Sequence, residues 1–174
     1  SAVTAIEGSA ADLKELVAAK GVEVAKGVDI TVSDLTVNAS DLATILKSTL
    51  GTVKATVTAD TAAKLNAALK DANSLDALNL TVDGTTATAK DLISLDGKTT
   101  AITLNVGAIT GNITEITKVF VDDAANFTSV DTTAATISGE ITAAQADAIA
   151  LVTNKVVTAT IKADTAKALN DALS

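Results

Sequence analysis

The sequence predicts an α/β chain built as a two-layer, right-handed solenoid of strand–helix repeats, with a parallel sheet on one side and helices on the other. Three observations predict it. An apolar–Thr–apolar triplet recurs along the 174 residues, centred on Thr4, Thr31, Thr56, Thr81, Thr103, Thr136 and Thr160, at intervals of 27, 25, 25, 22, 33 and 24 residues. Each triplet runs into a helix-start signal. One stretch is nearly duplicated: Ala55-Thr56-Val57-Thr58-Ala59-Asp60-Thr61-Ala62 against Ala159-Thr160-Ile161-Lys162-Ala163-Asp164-Thr165-Ala166, with Leu65, Asn66 and Leu69 continuing onto Leu169, Asn170 and Leu173.

The strands come first in each unit. Asp29-Ile30-Thr31-Val32-Ser33 and Asn79-Leu80-Thr81-Val82-Asp83 alternate with period two, so Ile30 and Val32 face a core while Asp29, Thr31 and Ser33 face out. The same parity holds around Thr56, Thr103, Thr136 and Thr160, and less clearly around Thr4. Helix starts follow. Ser9…Asp12, Asn38…Asp41, Thr88…Asp91 and Thr142…Gln145 read as capping boxes or acidic analogues, and Asp60 and Asp164 as simple N-caps. Behind them stand helically spaced apolar residues such as Leu13, Leu16 and Val17, or Leu42, Ile45 and Leu46. Gly21, Gly51 and Gly97 fit helix stops.

From each central Thr to the first helical Leu or Ile the distance is 9, 11, 9, 11, 10, 13 and 9 residues, ending at Leu13, Leu42, Leu65, Leu92, Ile113, Ile149 and Leu169. Short and long units alternate, which makes a pair the true period. Strands that all enter the same way pair in parallel through right-handed crossovers. The whole chain, 1–174, is expected to be one domain of about seven coils, with an insertion loop at 120–133 where the interval lengthens. A doubly wound globular domain needs apolar residues on both strand faces, and these strands have them on one.

Composition narrows the chemistry. There is no His, Cys, Met, Trp, Tyr, Pro or Arg, and only Phe120 and Phe127 are aromatic. The commonest general base, thiol nucleophiles, imidazole and thiolate metal ligands and the guanidinium phosphate clamp are all missing. The net charge of −8 disfavours nucleic acid and anionic membranes as partners. No apolar run is long enough to insert in a membrane. The start, from Ser1 to Leu16, carries Glu7, Asp12, Lys14 and Glu15; it is neither a signal peptide nor begun by Met, and reads as a processed or excised piece.

Asp34-Leu35-Thr36-Val37-Asn38-Ala39-Ser40-Asp41-Leu42, and the run from Ala87-Thr88-Ala89-Lys90-Asp91-Leu92 to Gly97-Lys98-Thr99-Thr100, resemble the degenerate Ala/Thr/Asp-Leu-rich repeat segments of very large exported surface proteins of cyanobacteria and other Gram-negative bacteria. The resemblance implies a secreted or cell-surface, non-enzymatic module of an adhesin, surface-coat (S-layer-like) or motility-associated protein. The glycine-aspartate nonapeptides of calcium-binding repeats are absent, so no calcium site carries over.

Five aspartates, Asp12, Asp41, Asp60, Asp91 and Asp164, sit at helix starts and read as caps rather than catalytic groups. The densest acidic cluster, Asp122, Asp123 and Asp131, offers only hard oxygen ligands and reads as a solvated loop rather than a Ca²⁺ site. No catalytic residue, metal or cofactor is assigned. The candidate binding residues are the sheet-face threonines Thr31, Thr56, Thr81, Thr103, Thr136 and Thr160, expected as one row about 4.8 Å apart. The expected function is structural or adhesive, with other repeats of the same protein met head to tail as partners. The alternative is recognition of ice or carbohydrate by the Thr-rich face.

Overall fold

A computed structural model describes residues 3–20, 24–99 and 101–173; the helix stop expected at Gly21 lies outside them. Alternating apolar residues give the strands β1 (Ala5–Gly8), β2 (Asp29–Val32), β3 (Val53–Thr56), β4 (Ala77–Thr88), β5 (Ala101–Asn112), β6 (Phe127–Thr128), β7 (Ala134–Ile141) and β8 (Val157–Ile161). Between them stand α1 (Ala10–Ala18), α2 (Ala39–Leu46), α3 (Ala62–Ala68), α4 (Ala89–Asp96), α5 (Ile113–Thr117), α6 (Ala143–Ala150) and α7 (Ala166–Ala172). All strand pairs are parallel. The open sheet runs β1-β2-β3-β4-β5-β7-β8, which is chain order, and β6 adds to β5.

One face of this sheet is dry. Ile30, Val53, Leu78, Leu80, Val82, Ile102, Ile109 and Ala135 are buried beneath helical Leu13, Leu42, Ile45, Leu65, Leu92, Leu95, Ile116 and Ile149. Each such Leu or Ile contributes about 1.5–3 kcal/mol by leaving water. Successive helices touch their neighbours from α1 to α7. The other face carries the exposed and half-exposed Thr, Asn, Asp and Lys side chains. The expected parity of the strands and the parallel α/β architecture are therefore present.

The caps are mostly where the sequence places them. Ser9, Thr88 and Thr142 accept the backbone N–H of the residue three positions on, and Thr142 with Gln145 forms a full capping box. Asn112 with Glu115 forms another, which the sequence reading passed over. Asn38 occupies the N-cap of α2 without making the side-chain bond. Two caps shift by one residue: the N-caps of α3 and α7 are Thr61 and Thr165, not Asp60 and Asp164. The two carboxylates instead accept the N–H of those cap residues, at 2.8 and 2.7 Å. A short side chain one residue before the cap reaches the cap's own donor more easily than the helix interior.

The segment 120–133 is not a projecting loop. It winds through a π-turn (Lys118–Asp122) and a 3₁₀ turn (Ala124–Asn126), adds β6 to β5, and closes with Val130–Thr132. The physical reason is that Phe120, Phe127 and Val130 are buried in the common core. Phe120 and Phe127 are the chain's two aromatic residues, placed where the interval is longest.

Register is fixed at the strand entrances by buried polar brackets. The Thr49 hydroxyl donates to the Val28 carbonyl at 2.5 Å and accepts the Gly51 N–H at 2.9 Å. Thr99 donates in the same way to Leu78, and Thr153 to Thr133 at 2.6 Å. Asp76 fills the equivalent place before β4, its carboxylate accepting the N–H of Val53 and of Asn73. Gly51 is required here, because a Cβ would stand 2.5 Å from the Val28 carbonyl oxygen.

Candidate functional site

The candidate site is the open face of the sheet. The six threonines all lie on it, since their strand neighbours point into the core: Ile30 and Val32 about Thr31, Ile102 and Leu104 about Thr103, Ala135 and Ile137 about Thr136. They do not form one row. Thr31 lies between Glu7 and Lys54, Thr56 opposite Asn79, and Thr160 opposite Glu140. Only Thr81 and Thr103 of the six are directly paired.

The single ladder fails because the triplets lie at different depths along their paired strands. Counted from the paired residues Lys54 and Ala77, Thr56 lies two positions on and Thr81 four, so Thr56 meets Asn79, two residues before Thr81. The structure forms other rows. Thr81, Thr103 and Thr128 lie side by side on β4, β5 and β6. Thr88, Thr110, Thr136 and Thr158 lie side by side on β4, β5, β7 and β8. Between these rows β4 passes through Gly84, whose φ of +136° suits a residue without Cβ. From the sequence Thr88 reads only as a helix cap and Thr158 only as an outward neighbour of Thr160, while Thr110 and Thr128 are not picked out.

Polar side chains on this face bond sideways to the next strand. The Asn79 amide donates to Thr56 Oγ1 at 3.2 Å, the Asn105 amide to Asp83 Oδ1 at 2.9 Å, and the Ser138 hydroxyl to the Gly111 carbonyl at 3.2 Å. A lattice of hydroxyls, amides and methyls results, with Lys54 and Asp83 among them. It can offer hydrogen bonds in a fixed array, without aromatic stacking or a deep enclosure.

The carboxylates stand in other duties. The Lys14 ammonium lies 2.5 Å from Asp41, joining α1 to α2, and its bond and charge hold the Asp41 carboxyl below the usual range. The Asp60 carboxyl is also lowered, first by the Thr61 N–H and then by Lys64, 3.1 Å away. Asp60 and Lys64 line a groove of about 290 Å³ with Asn38, Ser40 and Thr58. Asp123 of the acidic cluster is engaged by Lys118 at 2.7 Å, which raises the ammonium's pKa. Among the described residues no group of three His, Cys, Asp or Glu side chains is placed to hold a metal ion. Asp96 differs from the rest: burial raises its carboxyl above the usual range, the Asn126 amide opposing, and its Oδ1 is buried without a partner.

No protein-family model matches the chain, and comparison with curated proteins and with solved structures gives no match either.

Proposed function

We propose that the chain is a non-catalytic structural or adhesive repeat segment of a large secreted or cell-surface bacterial protein, its units forming a two-layer right-handed solenoid that meets further repeats of the same protein end to end. One observation carries the reading: the joints between units are copies of one another. Where a short unit meets a long one, the carbonyl just before the helix cap accepts a backbone N–H, Gly8 from Ser33 at 2.9 Å and Asp60 from Asp83 at 3.0 Å. Where a long unit meets a short one, Val37 accepts from Thr58 and Ile141 from Lys162, at 2.9 and 2.8 Å. Units joined by repeated nearest-neighbour contacts extend by addition, which suits a spacer or display element. The placement at the surface rests on the resemblance of the Ala/Thr/Asp-Leu segments. Antibody against this chain should label intact producing cells; labelling only after lysis would count against an exported protein.

A second reading has its own observation, the in-register row Thr88, Thr110, Thr136 and Thr158. A regular row of hydroxyls and methyls on an open sheet face suits recognition of ice or a carbohydrate. Thermal hysteresis, or glycan binding lost on Thr110→Lys, would favour it over a purely structural role.

A further inference from the structure

We infer that the open edge of β8, with the outer flank of α7, takes up one further strand–helix unit of the β4–α4 kind, in parallel and at the stagger that β3 adopts on β4. The inference rests on the repeat-segment reading and names which kind of repeat is received. Its ground is that the molecule already contains the occupied form of this site.

The unit β3–α3 and the unit β8–α7 are near copies in sequence, and they fold alike. Thr61 and Thr165 both have φ −65° and ψ 148°, and each donates its N–H to the carboxylate of the preceding aspartate. Both helices have 7 residues. What differs is cover. Leu69 is 0% exposed, while its counterpart Leu173 is 52% exposed; Ala62 is 3% exposed, while Ala166 stands open to solvent. Between β3–α3 and the solvent lies β4–α4. Among the described residues no strand pairs with the outer edge of β8, and α7 leaves a groove of about 270 Å³ open against α6 and β8, between Ala146, Ala159, Ile161 and Leu173.

The polar contacts point the same way. At the β3–β4 joint the Val57 N–H donates to Asn79, the Asp60 carbonyl accepts from Asp83, and the Asn66 amide donates to the Asp91 carbonyl at 2.8 Å. Ile161, Asp164 and Asn170 stand at the corresponding places of β8–α7. An edge strand with its backbone groups in place is a template for parallel addition. The apolar counterparts supply the driving force.

The occupant is specified by length as well as chemistry. Thr81 lies seven residues before its cap, Thr88, whereas Thr56 and Thr4 lie five before theirs, Thr61 and Ser9. A second copy meeting β8 through its β1 would set a short unit against a short unit. Both short units with a following neighbour, β1–α1 and β3–α3, meet a long one. The geometry therefore selects a long unit, carrying an N–H for Asp164 and a helix whose third residue is aspartate.

The test is to append a copy of residues 70–97, the natural successor of Leu69, directly after Leu173 of the full chain. Amide hydrogen exchange is then read at Ile161 and through α7, with Leu80 as a reporter that the body has folded. The expected result is a slowing at Ile161 of about tenfold or more relative to the unextended chain, lost in part on Asn170→Ala. A scrambled 70–97 extension should give no slowing. Three results would overturn the inference: unchanged exchange at Ile161 with Leu80 protected, equal protection by the scrambled extension, or dimers of the unextended chain already protected at Ile161. The last would place a second copy on this edge. Cell labelling plays no part in this readout, so a protein that proves not to be exported leaves its outcome standing.

Discussion

Thr99 and Thr153 show how much a hydroxyl matters when it is dry. Each donates to a strand carbonyl beside a buried core, so replacing either by the equally shaped Val leaves that acceptor without its partner. Loss of such a bond costs about 1–2 kcal/mol, and Thr99→Val or Thr153→Val should lower the unfolding free energy measured in urea by that amount. Thr103→Val on the open face, a residue with no such bond, should stay within about 0.5 kcal/mol. Asp96 predicts an opposite sign. Its carboxyl is raised by burial, so the native state binds its proton more tightly than the unfolded chain. Above the folded pKa the buried charge destabilises the protein. That penalty disappears as pH falls through the folded pKa towards the ordinary carboxylate value of about 3.9. Asp96→Asn should therefore raise the melting temperature at pH 7, and the gain should vanish below about pH 4; an equal gain at both pH values would show that neutralising the charge is not its source.

At the scale of the element, helix starts were legible in sequence because capping is local chemistry. A Ser or Thr three residues before Asp or Gln satisfies the first-turn donors wherever the unit stands, as Ser9, Thr88 and Thr142 do. Thr142→Ala should accordingly cost about 1 kcal/mol, and Asn38→Ala distinctly less, since Asn38 makes no side-chain cap bond; chemical denaturation of both variants compares them. Strand parity was legible for the same reason, because Ile30 and Val32 declare a face without reference to any neighbour. Stagger between strands was not. It depends on contacts twenty or more residues apart, such as Thr49 to Val28 or Thr153 to Thr133, and a lone buried Thr looks in sequence like any of the other threonines. Hence the face of Thr31, Thr56 and Thr160 was correctly read while their row was not. The order of 120–133 escaped for a related reason: its acidic residues suggested solvent, and the anchoring of Phe120 and Phe127 beneath the helices is a long-range fact.

For the whole molecule, a sheet in chain order means that each unit leans only on the unit before and the unit after. Stability should then be graded along the stack instead of uniform, because an interior unit is held from both sides and an end unit from one. The structure makes the contrast sharp at one end. No residue of α7 is fully buried, whereas Leu65 of the nearly identical α3 is 0% exposed. Native-state hydrogen exchange should therefore find the amides of β4 and β5 opening only with global unfolding, and those of β8 and α7 opening at a lower free energy. Leu65→Ala, which empties a core site, should cost about 2–5 kcal/mol. Leu169→Ala in the matching position of α7 should cost a fraction of that and leave exchange in β4 untouched. Equal effects of the two substitutions, or a single opening free energy from β2 to α7, would mean that the chain folds as one cooperative body, and the additive picture of its units would have to be abandoned.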